Sequence, residues 1–168
     1  MCNEYVIINH DTSIFEAIKL VVKKEVVFIK DNEGKIKGPI TPSDLNEEFL
    51  EQIEPFILLE QIEYFIRLVL HNKITLNDLR NSIDVKDENR KIDSISDMTF
   101  GEYIRVIEKP EHWEALKLSL DRAEFIKELQ SIRSIRNSVM HFNLDKISKD
   151  NLKELRDMSI FLQDYLNN

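Results

Sequence analysis

Apolar positions change their spacing along the chain, and the changes predict its elements. Tyr5 to Ile8 is a short apolar run and reads as a strand. Ser13-Ile14-Phe15-Glu16 has the form of a capping box, in which hydroxyl and carboxylate satisfy each other's free backbone N–H groups. Ile14, Ala17, Ile18 and Val21 then recur at helical spacing. Val26 to Ile29 is continuous and β-branched, as in a buried strand. Asp31-Asn32-Glu33-Gly34 signals a turn, and Ile36 to Thr41 reads as the returning strand. Pro42-Ser43-Asp44 opens a helix, so the order is β-α-β-β-α.

From Pro55 the period is helical. Phe56, Leu59, Ile62, Phe65, Ile66 and Val69 make one strong amphipathic helix, with Glu63 and Arg67 at i,i+4. A short helical piece spans Leu76 to Ile83, and the charged stretch Asp84 to Ser96 reads as a loop. Thr99-Phe100-Gly101-Glu102 is a second capping box, ahead of Tyr103, Ile104 and Ile107. Pro110 suits the first turn of a helix carrying Trp113, Leu116 and Leu120. Asp121 with Glu124 caps a long helix reaching about His141, and Leu152, Leu155, Ser159, Leu162 and Leu166 mark a last one. The expected fold is α+β: a small N-terminal β-α-β-β-α module over residues 1–50 and a mostly α-helical bundle over 51–168. No Gly/Ser/Pro-rich linker separates them, so the two are expected to pack together.

Composition narrows the chemistry. The 168 residues are 42% hydrophobic and 32% charged, a globular balance. With 31 acidic and 23 basic residues the net charge is −8, which makes the whole chain a poor non-specific nucleic-acid binder. Any nucleic-acid site must be a local basic patch. Only 3 glycines are present, and neither a GxGxxG nor a GxxxxGK[ST] phosphate loop occurs. The single cysteine, Cys2, allows neither an internal disulfide nor a Cys-based zinc site, and a reducing cytoplasm is expected. The N-terminal stretch lacks the form of a signal peptide, and no apolar run approaches the roughly 18 residues of a membrane span. His10, His71 and His112 are scattered without ligand spacing, so no metal site is expected.

The long helix carries the densest chemistry. At about 100° per residue, Ile132, Ile135, Val139 and Phe142 share one arc, and Arg133, Arg136, Asn137 and His141 the opposite one. Asn137 lies one turn before His141, within reach to orient the imidazole. Arg136 is about 140° from His141 around the axis, so their tips converge only if the helix bends or frays there, or if a second copy faces the first. An imidazole moves protons near neutral pH, and a guanidinium offers a planar fork to phosphate oxygens. The set suits phosphodiester cleavage without a metal. Six basic side chains (Lys127, Arg133, Arg136, Lys146, Lys149, Lys153) face three acidic ones (Glu128, Asp145, Asp150) between Lys127 and Lys153, a local excess of positive charge. Read structurally, a His at a helix C-terminus answers the helix dipole, and two Arg on a helix face are solvated or paired.

Arg136-Asn137-Ser138-Val139-Met140-His141 has the form R-N-x-x-x-H late in a long helix, followed by Phe142 and a final helix. With the preceding Trp113…Leu116…Asp121-Arg122…Leu129…Ile132-Arg133, this resembles the HEPN family of small helical domains over residues 55–168. Many HEPN domains are ribonucleases that dimerise so that two motifs build one cleft. The resemblance implies that Arg136 binds the scissile phosphate, His141 transfers protons while the 2′-hydroxyl attacks, and Asn137 orients His141; Arg133 and Lys146 would bind RNA. HEPN toxins paired with a nucleotidyltransferase carry Tyr two residues after the His; here that position is Asn143.

The segment Val26 to Leu45, with Gly34 in its turn and then Gly38-x-x-Thr41-x-x-Asp44, resembles a CBS motif over residues 5–50. The resemblance implies an adenine-nucleotide site at Gly38, Ile40, Thr41 and Asp44, with Thr41 and Asp44 on phosphate and ribose. A helix start offers free N–H groups to phosphate. Equally, Thr41 caps the helix with Asp44 in its first turn, and both readings hold together. CBS motifs work in pairs and this chain has one, so both resemblances imply a homodimer. The expectation is a cytoplasmic, metal-independent endoribonuclease serving defence or stress, biased by adenine nucleotide, with no membrane role. The alternative is a non-catalytic nucleotide-sensing or protein-interaction module. Glu63 and Arg67 either line the cleft or form a plain helix salt bridge, and Trp113 reads as core.

Overall fold

The computed structural model describes residues 5–83, 90–143 and 147–167. The fold is α+β, with seven α-helices and a three-stranded sheet among the described residues. The chain divides into two compact units, Met1–Glu54 and Pro55–Asn168.

In the first unit, β1 (Val6–Asn9), α1 (Ile14–Lys24), β2 (Val27–Lys30) and β3 (Ile36–Ile40) precede the start of α2 (Pro42–Leu70). β1 and β2 run parallel, Val6 opposite Val27, a pairing that needs a crossover, and α1 supplies it. β3 returns antiparallel, Val27 opposite Ile40, with an irregularity between Ile29 and Lys30. The hairpin turns on Asp31, whose carboxylate accepts the N–H groups of Glu33 and Lys35, and on Gly34 at φ 81°. Ile8, Ala17, Val21 and Val27 make a small core. Ser13 precedes α1, but the expected hydroxyl cap is not made: Glu16 N–H bonds instead to the Ser13 carbonyl at 2.9 Å.

Pro55 does not begin a new helix. It lies inside α2, a single helix of 29 residues, and is itself buried. A proline there gives up one N–H, yet α2 continues on the helix formers around it.

The second unit adds α3 (Leu76–Arg80), a 3-10 turn (Ile95–Asp97), α4 (Phe100–Glu108), α5 (Pro110–Leu116), α6 (Arg122–Met140) and α7 (Lys149–Asn167). α3 stops at Arg80, short of the Ile83 that periodicity suggested. α6 buries Phe125, Leu129, Ile132, Ile135 and Val139, the spacing of one helical face. They meet Leu59, Ile62 and Ile66 of α2, Tyr103, Ile104 and Ile107 of α4, and Leu155, Met158 and Leu162 of α7 in one core. Trp113 is half-buried against Phe125, 5.6 Å between ring centroids.

Several helix starts share one device. Thr41 with Asp44, Thr75 with Asp78, Ser94 with Asp97, Thr99 with Glu102, and Ser148 with Asn151 each bond to one another across three residues, and Asp121 caps α6 by accepting the Glu124 N–H. No helix among the described residues is long and apolar enough to cross a membrane.

Candidate functional site

Arg136 is half-buried on α6 and faces α2. Its Nε lies 3.5 Å from Oε2 of Glu63, an ion pair too poorly aligned to be a hydrogen bond. The other Glu63 oxygen accepts from Arg67 at 2.5 Å, because i,i+4 positions stack on one helix face. Arg67 Nε donates to the Tyr103 hydroxyl at 2.9 Å, and that hydroxyl donates to the Ile95 carbonyl at 3.0 Å. A chain of polar groups therefore ties α6 to α2, α4 and the 3-10 turn. Burial opposes the charge on Arg67, but Tyr103 and Glu63 outweigh it and hold the guanidinium above its ordinary value. Burial pushes the Tyr103 hydroxyl up. Beside this network is a pocket of about 190 Å³ lined by Phe56, Leu59, Glu60, Glu63, Arg67 and Met140.

α6 ends at Met140, and His141 is its capping residue, exposed at the helix C-terminus. Phe142 N–H bonds to the Val139 carbonyl and Asn143 N–H to the Ser138 carbonyl, both at 2.9 Å. These are the two bonds of a Schellman stop. Its left-handed residue is Phe142, at φ 55°. The helical arc therefore breaks down at its last member: Ile132, Ile135 and Val139 are buried, while Phe142 is 78% exposed. Its ring faces that of Phe56 at 6.3 Å between centroids.

Asn137 is exposed one turn earlier, and its carbonyl accepts the His141 N–H at 3.1 Å. Among the described residues no hydrogen bond joins the Asn137 amide, or Arg136, to the imidazole. The guanidinium of Arg133 lies against Gly101 on α4, where a Cβ would stand 3.0 Å from its Cζ. Lys146 lies outside the described residues. Lys153 lines a second recess, about 600 Å³, with Glu128, Asp150, Glu154 and Asp157 over Leu120, Met158 and Phe161. Burial, then the charges of Glu124 and Glu154, push the Glu128 carboxyl up. Of the locally positive run, Arg133, Arg136 and Lys153 thus lie against different surroundings: Gly101, Glu63 and an acidic recess.

In the first unit Gly38 pairs with Ile29 and Ile40 with Val27 inside the sheet. Asp44 Oδ2 accepts from the Thr41 N–H at 2.8 Å and from the Thr41 hydroxyl at 2.7 Å. These bonds hold its carboxyl below the ordinary value. The same arrangement starts other helices of the chain, so in this conformation Thr41 and Asp44 serve as a helix start. His10 and His71 are exposed, and His112 is buried with Nδ1 2.8 Å from the Val106 carbonyl. No group of three or more His, Cys, Asp or Glu among the described residues is placed to hold a metal ion.

Sequence reasoning placed Glu63 and Arg67 together but missed Tyr103, which looked like one more core aromatic at helical spacing. It also missed the left-handed turn at Phe142, which no glycine announces. No family model matches this chain, nor does any curated protein or solved structure.

Proposed function

We infer that the chain is a single CBS motif fused to a HEPN domain, and that it cleaves RNA without a metal. The observation that carries this is the end of α6: Asn137 and His141 exposed at its last turn, with Arg136 one face away and held by Glu63. In this reading Arg136 binds the scissile phosphate and stabilises the charge that builds on it. The 2′-hydroxyl attacks that phosphate, giving a 2′,3′-cyclic phosphate and a 5′-hydroxyl. His141 moves the proton between the attacking and leaving oxygens, and Asn137 positions it. Two copies face one another so that paired motifs form one cleft, and an adenine nucleotide at Gly38, Ile40, Thr41 and Asp44 of paired CBS motifs biases it. Such bias requires unequal affinity for two dimer states. Glu63 has a definite part here: it holds Arg136 until a phosphate competes for the guanidinium.

The test is RNA cleavage in EDTA by wild type, Arg136→Ala and His141→Ala, each checked for mass in solution. Activity in the wild type, lost in both variants with the dimer intact, is the expected result. A second reading, a non-catalytic nucleotide-sensing or interaction module, draws on the same ion pair, since Glu63 already answers the Arg136 charge. It expects no cleavage by the wild type at any adenine-nucleotide concentration, and altered ligand affinity in the variants.

A further inference from the structure

Phe142 occupies a position that its residue type does not suit. The left-handed residue of a Schellman stop is ordinarily glycine, because a Cβ there crowds the backbone. The other non-glycine residues with positive φ among the described residues are Glu25, Asn72 and Lys117, all polar. Burial compensates Phe142 little, since the residue is 78% exposed. A large aromatic residue in this conformation, left exposed, points to function. The surroundings say which. Its neighbours in sequence, His141 and Asn143, are exposed hydrogen-bonding residues. Its contact with Phe56 connects it to the pocket bounded by Glu63, the residue that holds Arg136. An exposed ring next to His141 in the chain, linked through Phe56 to the pocket whose Glu63 holds Arg136, suits one nucleotide: its base on the ring and its phosphate towards the cation.

We propose that Phe142 is the platform on which an unpaired RNA base stacks beside the cut. The proposal rests on RNA binding at this end of α6, as argued above. It makes the enzyme selective for single-stranded RNA, because a paired base cannot reach the ring. Backbone strain is the consequence of aiming an aromatic ring outward from a helix stop.

The experiment uses the His141→Ala protein, which leaves RNA uncut, and a single-stranded oligoribonucleotide carrying one 2-aminopurine. The expected result is quenching of the bound 2-aminopurine when Phe142 is present, and its loss in the Phe142→Gly version. Affinity falls about tenfold or more with that change, the range of one lost base stack. Phe142→Trp retains both signals. Melting is followed in parallel, and Phe142→Asn, which tolerates the left-handed region, serves as a second variant should the glycine protein fold poorly. Equal quenching and affinity with and without the ring overturn the proposal, as does failure of the protein to bind single-stranded RNA at all. Cleavage by the wild type that is unchanged by Phe142→Gly overturns base stacking and leaves the ribonuclease reading standing. Phe142-dependent quenching without wild-type cleavage supports the platform and overturns the ribonuclease.

Discussion

Glu102 is 1% exposed, and its carboxylate is surrounded by donors: the Thr99 N–H at 2.6 Å, the Thr99 hydroxyl at 3.0 Å and the guanidinium of Arg90, with Arg105 at 3.6 Å. Burial raises its pKa and is the largest single influence, but the bonds from Arg90 and Thr99 together outweigh it, and the group ends below its ordinary value. A carboxyl depressed in the folded state adds stability that is full above its unfolded pKa, about 4.3, and is lost as pH falls through the folded value. Urea titrations at pH 7 and pH 3.5 are expected to differ partly for this reason. Glu102→Gln is expected to cost about 1–3 kcal/mol at pH 7, since one neutral amide leaves Arg90 less well answered, and to flatten the acid limb. An unchanged acid limb in that variant refutes the assignment. Arg136 and Glu63 differ from this pair in degree, with a contact of 3.5 Å between two partly buried side chains.

Among the elements, α2 is the one that the sequence describes least well. A proline inside a helix costs about 3 kcal/mol relative to alanine, through a lost hydrogen bond and a clash. Pro55 is also buried, so part of that is offset by packing that alanine would lose. The expected net effect of Pro55→Ala is stabilisation of about 1–2 kcal/mol, read as a higher urea midpoint; a lower midpoint means that the pyrrolidine packing outweighs the backbone penalty. Most elements could be read from spacing alone, because α6 and α7 follow a 3.6-residue period and β2 falls in the continuous apolar run Val26 to Ile29. The exceptions have local causes. Pro55 looked like a boundary because proline usually is one. The box at Ser13 has the right letters, but the first turn of α1 closes on a carbonyl instead. The R-N-x-x-x-H placement at a helix end was legible, while the Glu63–Arg136 pair was not, since it joins helices far apart in sequence.

Across the whole molecule the two units are unequally built. Among the described residues the first has four buried apolar residues, Ile8, Ala17, Val21 and Val27, and the second a core drawn from α2, α4, α6 and α7. Small cores bury too little surface to offset chain entropy comfortably. Amides of β1 to β3 are therefore expected to exchange with deuterium at least tenfold faster than those of α6 around Leu129 and Ile132, in native-state exchange without denaturant. Similar protection in the two regions shows that the sheet draws stability from something beyond its own core, such as a second copy. With 3 glycines in 168 residues, the chain turns left-handed after helices on Glu25, Asn72, Lys117 and Phe142 instead. That habit has an evolutionary consequence. A chain whose helix stops already carry ordinary side chains keeps a reserve of neutral or beneficial glycine changes. A lineage can draw on that reserve to tolerate otherwise damaging variation elsewhere, at the first three stops without touching the end of α6, and at the fourth only by giving up the ring.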